Sequence, residues 1–196
     1  VQSADLTVNG WTIRNPDQCG TRYAGQPLKP FTTYTATLTV TSDSGETDTA
    51  RLTFETGRMD TPWQGKWITD GAYVFKEKKV SPVPMGEIAQ AKLYATAMGI
   101  YELNIDGQKV GERYFAPGFT SYAHQLMYQT YDVTDMLHSG SCITATVAGG
   151  WAVGSFVFTR VNRVTADRQA LLAELRITYR DGSTEVIGTD ESWQVT

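Results

Sequence analysis

The segment that decides the fold is residues 33–41, which read TYTATLTVT. Its apolar residues stand at every even position and threonines fill every odd one, which indicates a half-buried strand whose outer face is lined by hydroxyls. Turn-forming residues follow at 43–45, and the alternation resumes over 50–54. The two segments together predict an antiparallel hairpin.

A second hairpin is predicted upstream, because Asn9-Gly10 separates two short apolar runs. Residues 1–56 therefore predict about four or five short antiparallel strands, fewer than the roughly seven of a complete immunoglobulin sandwich. We predict a partial immunoglobulin-like sandwich at residues 1–57. The chain opens on Val1 without an initiator methionine or an apolar leader, so we expect a fragment whose first strands precede it.

A second β-rich block follows a polar connector at 57–66 that contains glycine and proline. Residues 91–97 and 101–106 alternate, and Asp106-Gly107 is a strong hairpin turn. Residues 133–137 are the one convincing helical turn, with Asp132 or Thr134 available as its N-cap. About nine strands and one helical turn fit a double-sheet jelly roll. The predicted class is all-β, with the jelly roll spanning residues 62–196.

The composition excludes several functional classes. The chain has a net charge of −4 and no basic block, which argues against nucleic acid and anionic membranes as partners. The uncharged run 136–159 alternates and is rich in glycine, so it is not a membrane span. Two cysteines, Cys19 and Cys142, predict unpaired buried thiols, with a single bridge as the alternative. Cytoplasmic and exported locations both stay open.

Reactive constellations are scarce in the sequence. His124 and His138 have no cysteine or carboxylate at ligand spacing, and no hydrolase elbow or nucleotide-binding glycine pattern occurs. Sugar hydrolysis uses two carboxylates roughly 5–10 Å apart. Glu102 and Asp106 share a strand face but stand on the order of 13 Å apart, next to a hairpin tip. We predict no catalytic residue and no metal ligand in this chain.

Two loops suit a sugar site. Residues 114–124 place four aromatic side chains and a histidine around a Pro-Gly turn, and residues 149–154 place three glycines around one tryptophan. Aromatic rings pack on the apolar face of a pyranose, while polar neighbours bond its hydroxyls. If a sugar binds, we expect it where the two loops converge. The alternative is that these rings cap the end of the sandwich. The candidate binding residues are Trp151 as the stacking face, Phe119, Tyr122, Ser121 and His124.

The order of several blocks resembles the N-terminal region of bacterial α-L-rhamnosidases. The blocks are residues 91–107 (AKLYATAMGIYELNIDG), 116–122 (APGFTSY), 128–134 (YQTYDVT), Gly149-Gly150-Trp151, and the tail 181–193. Upstream, residues 23–34 and 54–57 are similar to the fibronectin-III-like domain that precedes that module, and 63–68 (WQGKWI) to the family's junction. The resemblance implies a fibronectin-III-like, incomplete domain at 1–57 and a rhamnosidase N-terminal jelly roll at 62–196.

The resemblance implies a non-catalytic accessory role. Family members hydrolyse terminal α-L-rhamnose with inversion, using carboxylates on a separate (α/α)6 barrel. We therefore expect this region to pack against and shape that barrel, which would be its partner in the same polypeptide. The alternative is a carbohydrate-binding module for rhamnose-ended glycans, with calcium as a cofactor that the resemblance allows. The family commonly has Trp at Phe119, Asp at Ser121, Asn at Asp106 and Tyr at Ala152, and these departures favour the packing role.

Overall fold

A computed structural model of the chain describes residues 1–70, 74–79, 88–155, 163 and 165–195, with backbone only at 74–79 and 195. The chain folds as two compact units, Val1–Pro62 and Trp63–Thr196. The predicted strand at 155–161 and the predicted loop at 81–86 lie almost wholly outside the described residues. The assignment of 1–57 and 62–196 as fibronectin-III-like and accessory domains stays a prediction.

The first unit is described in full, and its strands form one antiparallel sheet. The strands are β1 (Ser3–Val8), β2 (Trp11–Arg14), β3 (Thr33–Thr41) and β4 (Thr47–Glu55), in the order β2-β1-β3-β4. The apolar residues of β3 lie opposite those of β4, with Tyr34 beside Phe54 and Ala36 beside Leu52. They share one face of the sheet, as the alternation predicts. That face is only half covered, and Leu52 is 66% exposed.

The second unit contains two antiparallel sheets. Its described strands are β5 (Val74–Lys79), β6 (Ile88–Met98), β7 (Ile100–Ile105), β8 (Gln108–Lys109), β9 (Gln129–Asp132), β10 (Cys142–Ala148), β11 (Ala170–Tyr179), β12 (Thr184–Gly188) and β13 (Gln194–Val195). One sheet has the order β13-β5-β10-β7-β8, and the other β12-β11-β6-β9. The all-β prediction is confirmed.

The core of the second unit is formed by alternate residues of both sheets. Ala91 and Leu93 of β6 pack with Leu103 of β7, Ala145 of β10 and Leu175 of β11. Each of these side chains is at most 1% exposed. The period-two pattern thus supplies one inward face to each sheet, and the hydrophobic effect closes the two faces on each other.

Helix is confined to single turns in the described part of the chain. The predicted helical turn is a 3-10 turn at Thr134–Met136. Its N-cap residue is Val133, which makes no side-chain cap, so the predicted capping residues are wrong; Asp132 instead accepts hydrogen bonds from the amide and hydroxyl of Thr134. A helical turn, α1 (Gly150–Val153), replaces part of a predicted loop. No described helix is long and apolar enough to cross a membrane.

Both cysteines are free thiols. Cys142 lies in β10 and is partly buried, whereas Cys19 is exposed. The prediction that both thiols are buried is therefore wrong for Cys19, which stands in a turn rather than in a strand.

Candidate functional site

A cavity of about 500 Å³ lies where the two candidate loops meet. One wall comes from residues 119–123 and the other from Trp151 in α1, with Met98 and Thr165 completing the lining. We refer to it as the Trp151 cavity. Loops from the same end of a sheet structure often gather into a site. The predicted convergence of the two loops is present in the structure.

Buried polar groups position the first loop. The amide of Tyr101 donates to the carbonyl of Ala116 at 2.8 Å, and the side-chain amide of Gln129 donates to the carbonyl of Pro117 at 3.1 Å. The Tyr101 hydroxyl in turn donates to Gln129 Oε1 at 2.9 Å. Burial first, and then the hydrogen bond with Tyr131, raise the pKa of Tyr101 far above its ordinary value. The phenol therefore stays protonated and keeps the loop fixed on the core.

Glycines allow the second loop to approach the turn between β6 and β7. Gly99 has φ +130°, and a Cβ there would stand 2.1 Å from the carbonyl oxygen of Ala148. Gly150 has φ +47°, and a Cβ there would lie 2.7 Å from Ile100 Cγ2. A larger residue at either position would force the backbone apart. The glycines thus set the turn that carries Trp151 close to the start of β7.

Four rings form an aromatic cluster beside the cavity: Phe115, Phe119, Tyr122 and Trp151. Phe119 lies 6.1 Å from both Trp151 and Tyr122, and Phe115 lies 6.1 Å from Trp151, measured between ring centroids. Phe115, Phe119 and Trp151 remain 64%, 54% and 37% exposed. Rings in mutual contact with open faces can stack on a further flat or apolar group.

The structure brings four of the five candidate residues together. Trp151, Phe119, Tyr122 and Ser121 line the cavity. Burial raises the pKa of the Tyr122 phenol, so at neutral pH it is a hydrogen-bond donor. His124 is exposed and is not among the described residues that line the cavity; it lies in the turn at 121–125, where its amide donates to the Ser121 carbonyl at 2.8 Å. Whether these residues bind a sugar stays a prediction.

Three residues at the Trp151 cavity or its aromatic cluster were not among the predicted binding residues. Phe115 belongs to the quoted loop, but nothing in the sequence distinguished it from its aromatic neighbours. Met98 ends a core strand, and Thr165 comes from a distant segment without a recognisable motif. Their positions follow from the way the strands return to the same end of the unit, which local sequence patterns do not encode.

The two carboxylates considered for catalysis each have a nitrogen-bearing side chain as partner. Glu102 lies 3.0 Å from Lys109 Nζ, and Asp106 lies 3.0 Å from His138 Nε2. Asp106 is not on the strand face as expected, because β7 ends at Ile105 and Asp106 turns with φ +51°. Its other oxygen accepts from the amide of Cys142 at 2.8 Å, the main reason why its pKa lies below the ordinary value.

The described residues around the Trp151 cavity do not suit calcium. Calcium binds six to eight oxygens and favours carboxylates. The described lining supplies hydroxyls but no carboxylate, and no group of three potential metal ligands occurs among the residues described. A calcium ion at this cavity would have to draw its carboxylates from elsewhere.

Comparisons with known proteins place these observations in a family. Residues 86–196 match the model described as "Alpha-L-rhamnosidase N-terminal domain". An α-L-rhamnosidase of Streptomyces avermitilis is 39% identical over 113 residues, covering 57% of this chain and 11% of that protein. One from Formosa agariphila is 29% identical over 158 residues, covering 73% of this chain and 17% of that protein. The chain thus spans less than a fifth of the length of these relatives.

Solved structures agree along nearly the whole chain. The α-L-rhamnosidase of Aspergillus terreus aligns with a TM-score of 0.80 at 27% identity, covering 99% of this chain and 25% of that one. The α-L-rhamnosidase of Dictyoglumus thermophilum aligns with a TM-score of 0.79 at 25% identity, covering 99% of this chain and 25% of that one. The chain therefore belongs to the α-L-rhamnosidase N-terminal domain family.

Proposed function

We propose that this chain is the non-catalytic N-terminal accessory region of an α-L-rhamnosidase, an enzyme that hydrolyses terminal α-L-rhamnose from glycosides. The observation that supports it is coverage: the matched region is 11% and 17% of two relatives that bear this name. A region of this size leaves most of each relative for other parts, among them the catalytic (α/α)6 barrel that the resemblance implies. Reactive carboxylates would then lie on that barrel.

The accessory role would be to pack against and shape the barrel. Phe115 and Phe119 are more than half exposed, and Trp151 stands beside them. Contiguous exposed apolar groups on a soluble protein usually mark an interaction surface. We assign the aromatic cluster to contact with the catalytic domain of the same polypeptide, whose docking would remove these rings from water.

The test compares the full-length enzyme with the 196-residue chain. We expect the full-length enzyme to hydrolyse an aryl α-L-rhamnoside and the chain alone to release nothing above buffer. Phe115→Ala should lower the melting temperature of the full-length enzyme while leaving that of the isolated chain unchanged. Leu52→Ala, at a similarly exposed side chain in the first unit, is the control. Equal effects of Phe115→Ala in both proteins would contradict the packing role.

A second candidate, binding of rhamnose-ended glycans, is favoured by one observation. Trp151 presents a ring that is 37% exposed at a cavity that also contains the hydroxyls of Ser121, Tyr122 and Thr165. A capping tryptophan would pack its ring against the core, whereas a stacking tryptophan needs an open face beside polar groups. Stacking with two or three hydrogen bonds would give about millimolar affinity, roughly −4 kcal/mol.

A titration of L-rhamnose into the 196-residue chain, followed by tryptophan fluorescence, tests this candidate. Trp151→Ala should abolish the response, and Trp67→Ala, at an exposed tryptophan outside the cavity, should preserve it. Because no described lining residue is a carboxylate, a chelator should leave binding unchanged. If tens of millimolar rhamnose give no response, or if both variants respond equally, the sugar-binding candidate is wrong and the packing role is the one that remains.

A further inference from the structure

A smaller cavity of about 180 Å³ lies on the outer face of the five-stranded sheet. Glu102 of β7 and Thr146 of β10 are cross-strand partners on that face, because their neighbours Tyr101 and Val147 point into the core. Arg113, Tyr114 and Phe115 form another wall of the cavity. We call it the Arg113 cavity. Its volume is below the roughly 300–1,000 Å³ of drug-sized sites and suits a single sugar ring.

Among the described residues around this cavity, one cation has no counterion. Lys109 Nζ lies 3.0 Å from the Glu102 carboxylate, so these two charges compensate each other. The same ammonium group stands 3.5 Å from the centroid of the Tyr114 ring, which holds it in place. Arg113 has no carboxylate within ion-pair distance in the parts of the chain that the structure describes. The neighbouring Glu112 lines a different depression, on another side of Arg113.

The cavity also offers rings with open faces. Tyr114 is 76% exposed and Phe115 64%. Phe115 has φ +56°, a backbone conformation that a bulky side chain rarely adopts and that recurs at functional sites. This conformation keeps the ring at the surface, at the cavity wall, instead of in the core. An exposed guanidinium beside two exposed rings suits a ligand that is both anionic and flat-faced.

We propose that the Arg113 cavity binds a uronic acid residue of a glycan, that is, a pyranose whose C5 carries a carboxylate. The carboxylate would receive paired N–H bonds from the Arg113 guanidinium, a geometry that arginine matches and lysine does not. The apolar face of the ring would lie on the open face of Tyr114, since Phe115 belongs to the aromatic cluster that we assign to the catalytic domain, and the Thr146 hydroxyl and Glu102 would bond its hydroxyls. The site is independent of rhamnose binding at the Trp151 cavity.

The test is an NMR titration of the ¹⁵N-labelled 196-residue chain at low salt. Methyl β-D-glucuronide should shift the amides of Glu102, Tyr114 and Thr146 with a dissociation constant in the millimolar range. Methyl β-D-glucoside, which carries a hydroxymethyl group in place of the carboxylate, should bind about tenfold more weakly. Added salt should weaken the binding of the glucuronide but not that of the glucoside, because only the glucuronide forms an exposed ion pair that salt screens.

Variants make the assignment specific to Arg113. Arg113→Gln should reduce glucuronide affinity about tenfold, and Arg113→Lys should restore only part of it. Arg180→Gln removes an equally exposed charge outside the cavity and should change nothing. Equal affinity for the two glycosides, retained binding in Arg113→Gln, or absence of glucuronide binding would each overturn the proposal. None of these outcomes depends on rhamnose or on Trp151, so they are separable from the tests of the proposed function.

Discussion

Leu38 in β3 and Leu103 in β7 both occupy the apolar face of an alternating strand, yet their surroundings differ. Leu103 is 1% exposed, between two sheets, whereas Leu38 is only partly buried on the face of a single sheet. Of the well-buried apolar side chains in the described residues, only Val8 belongs to the first unit. Identical sequence periodicity therefore leads to different degrees of burial, because alternation specifies a face and a second layer must cover it.

The energetic consequence follows from the area removed from water. Burying apolar surface contributes roughly 25 cal/mol per Å². The second unit gains this burial free energy from two facing sheets, whereas the first unit gains it from part of one face of a single sheet. The second unit should therefore account for most of the chain's resistance to unfolding.

The largest effect is expected for Leu103→Ala. Removal of a fully buried leucine side chain loses transfer free energy and leaves a cavity, at a cost of about 3 kcal/mol in free energy of unfolding. Urea unfolding followed by tryptophan fluorescence reports on this unit, because four of the five tryptophans lie in it. A loss below about 1 kcal/mol would mean that the core relaxes around the gap.

Native-state hydrogen exchange should separate the units without mutation. Amides of the central pair β6 and β11 should be the most protected, and those of the edge strand β4 the least. We expect at least a tenfold difference in protection, equivalent to about 1.4 kcal/mol. Equal protection in β4 and β6 would show that the two units unfold together.

Leu38→Ala is the matched change in the first unit. Because Leu38 is half-buried before truncation, the cost should be about 1 kcal/mol, a fraction of that at Leu103. Hydrogen exchange of the β3 amides measures this loss of stability in the first unit. A cost equal to that of Leu103→Ala would show that this face is packed as tightly as the jelly-roll core.

The smallest effect concerns the pH dependence contributed by Asp106. The amide of Cys142 is the main cause that lowers its pKa, with Ser141 and His138 adding to it. A carboxyl whose folded-state pKa is depressed stabilises the fold above its unfolded value and loses that contribution as pH falls through the folded value. The stability of the chain relative to Asp106→Asn should therefore decrease between about pH 5 and pH 2.

Thermal melts of both proteins at several pH values measure this difference. The control is Asp43→Asn in the first unit, where the carboxylate faces the amino terminus at 3.8 Å with both groups well exposed. Exposed pairs contribute little, so this change should leave the melting temperature nearly constant. A pH-independent difference for Asp106→Asn would show that its hydrogen bond to Cys142 is not formed in solution.

Much of the fold follows from local chemistry that is readable in the sequence. Asn9-Gly10 and Asp106-Gly107 both adopt positive φ at their two positions, the geometry that two-residue hairpins require. Because these turns fix which residues face each other, the alternation on either side identifies the inward face. The strands β1, β2 and β7 were predictable for this reason.

The less predictable features depend on contacts between distant segments. The helical turn at Gly150–Val153 is too short to show a helical period, so only its glycines gave a signal. The strand that follows the Asp106-Gly107 turn already stops at Lys109, and Gly111 turns the chain beneath Tyr131 with φ +71°. The sequence indicated which loops carry the rings of the site, but not that His124 would lie outside the described lining of the Trp151 cavity.

The hydrogen bonds of Glu174 have a consequence for how this unit is inherited. This buried carboxylate of β11 accepts from the backbone amides of Gln64 and Gly65, so the entering chain is fastened to a strand that is formed about a hundred residues later. The backbone amide of Lys66 likewise donates a hydrogen bond to the carbonyl of Thr189. The first and last parts of the unit lie side by side, an arrangement that tolerates insertion and exchange between genes. Recombination that cuts before Trp63 would carry both of these contacts with the unit, whereas a cut at residue 86, where the family match begins, would remove the Gln64 and Gly65 amides that donate to Glu174.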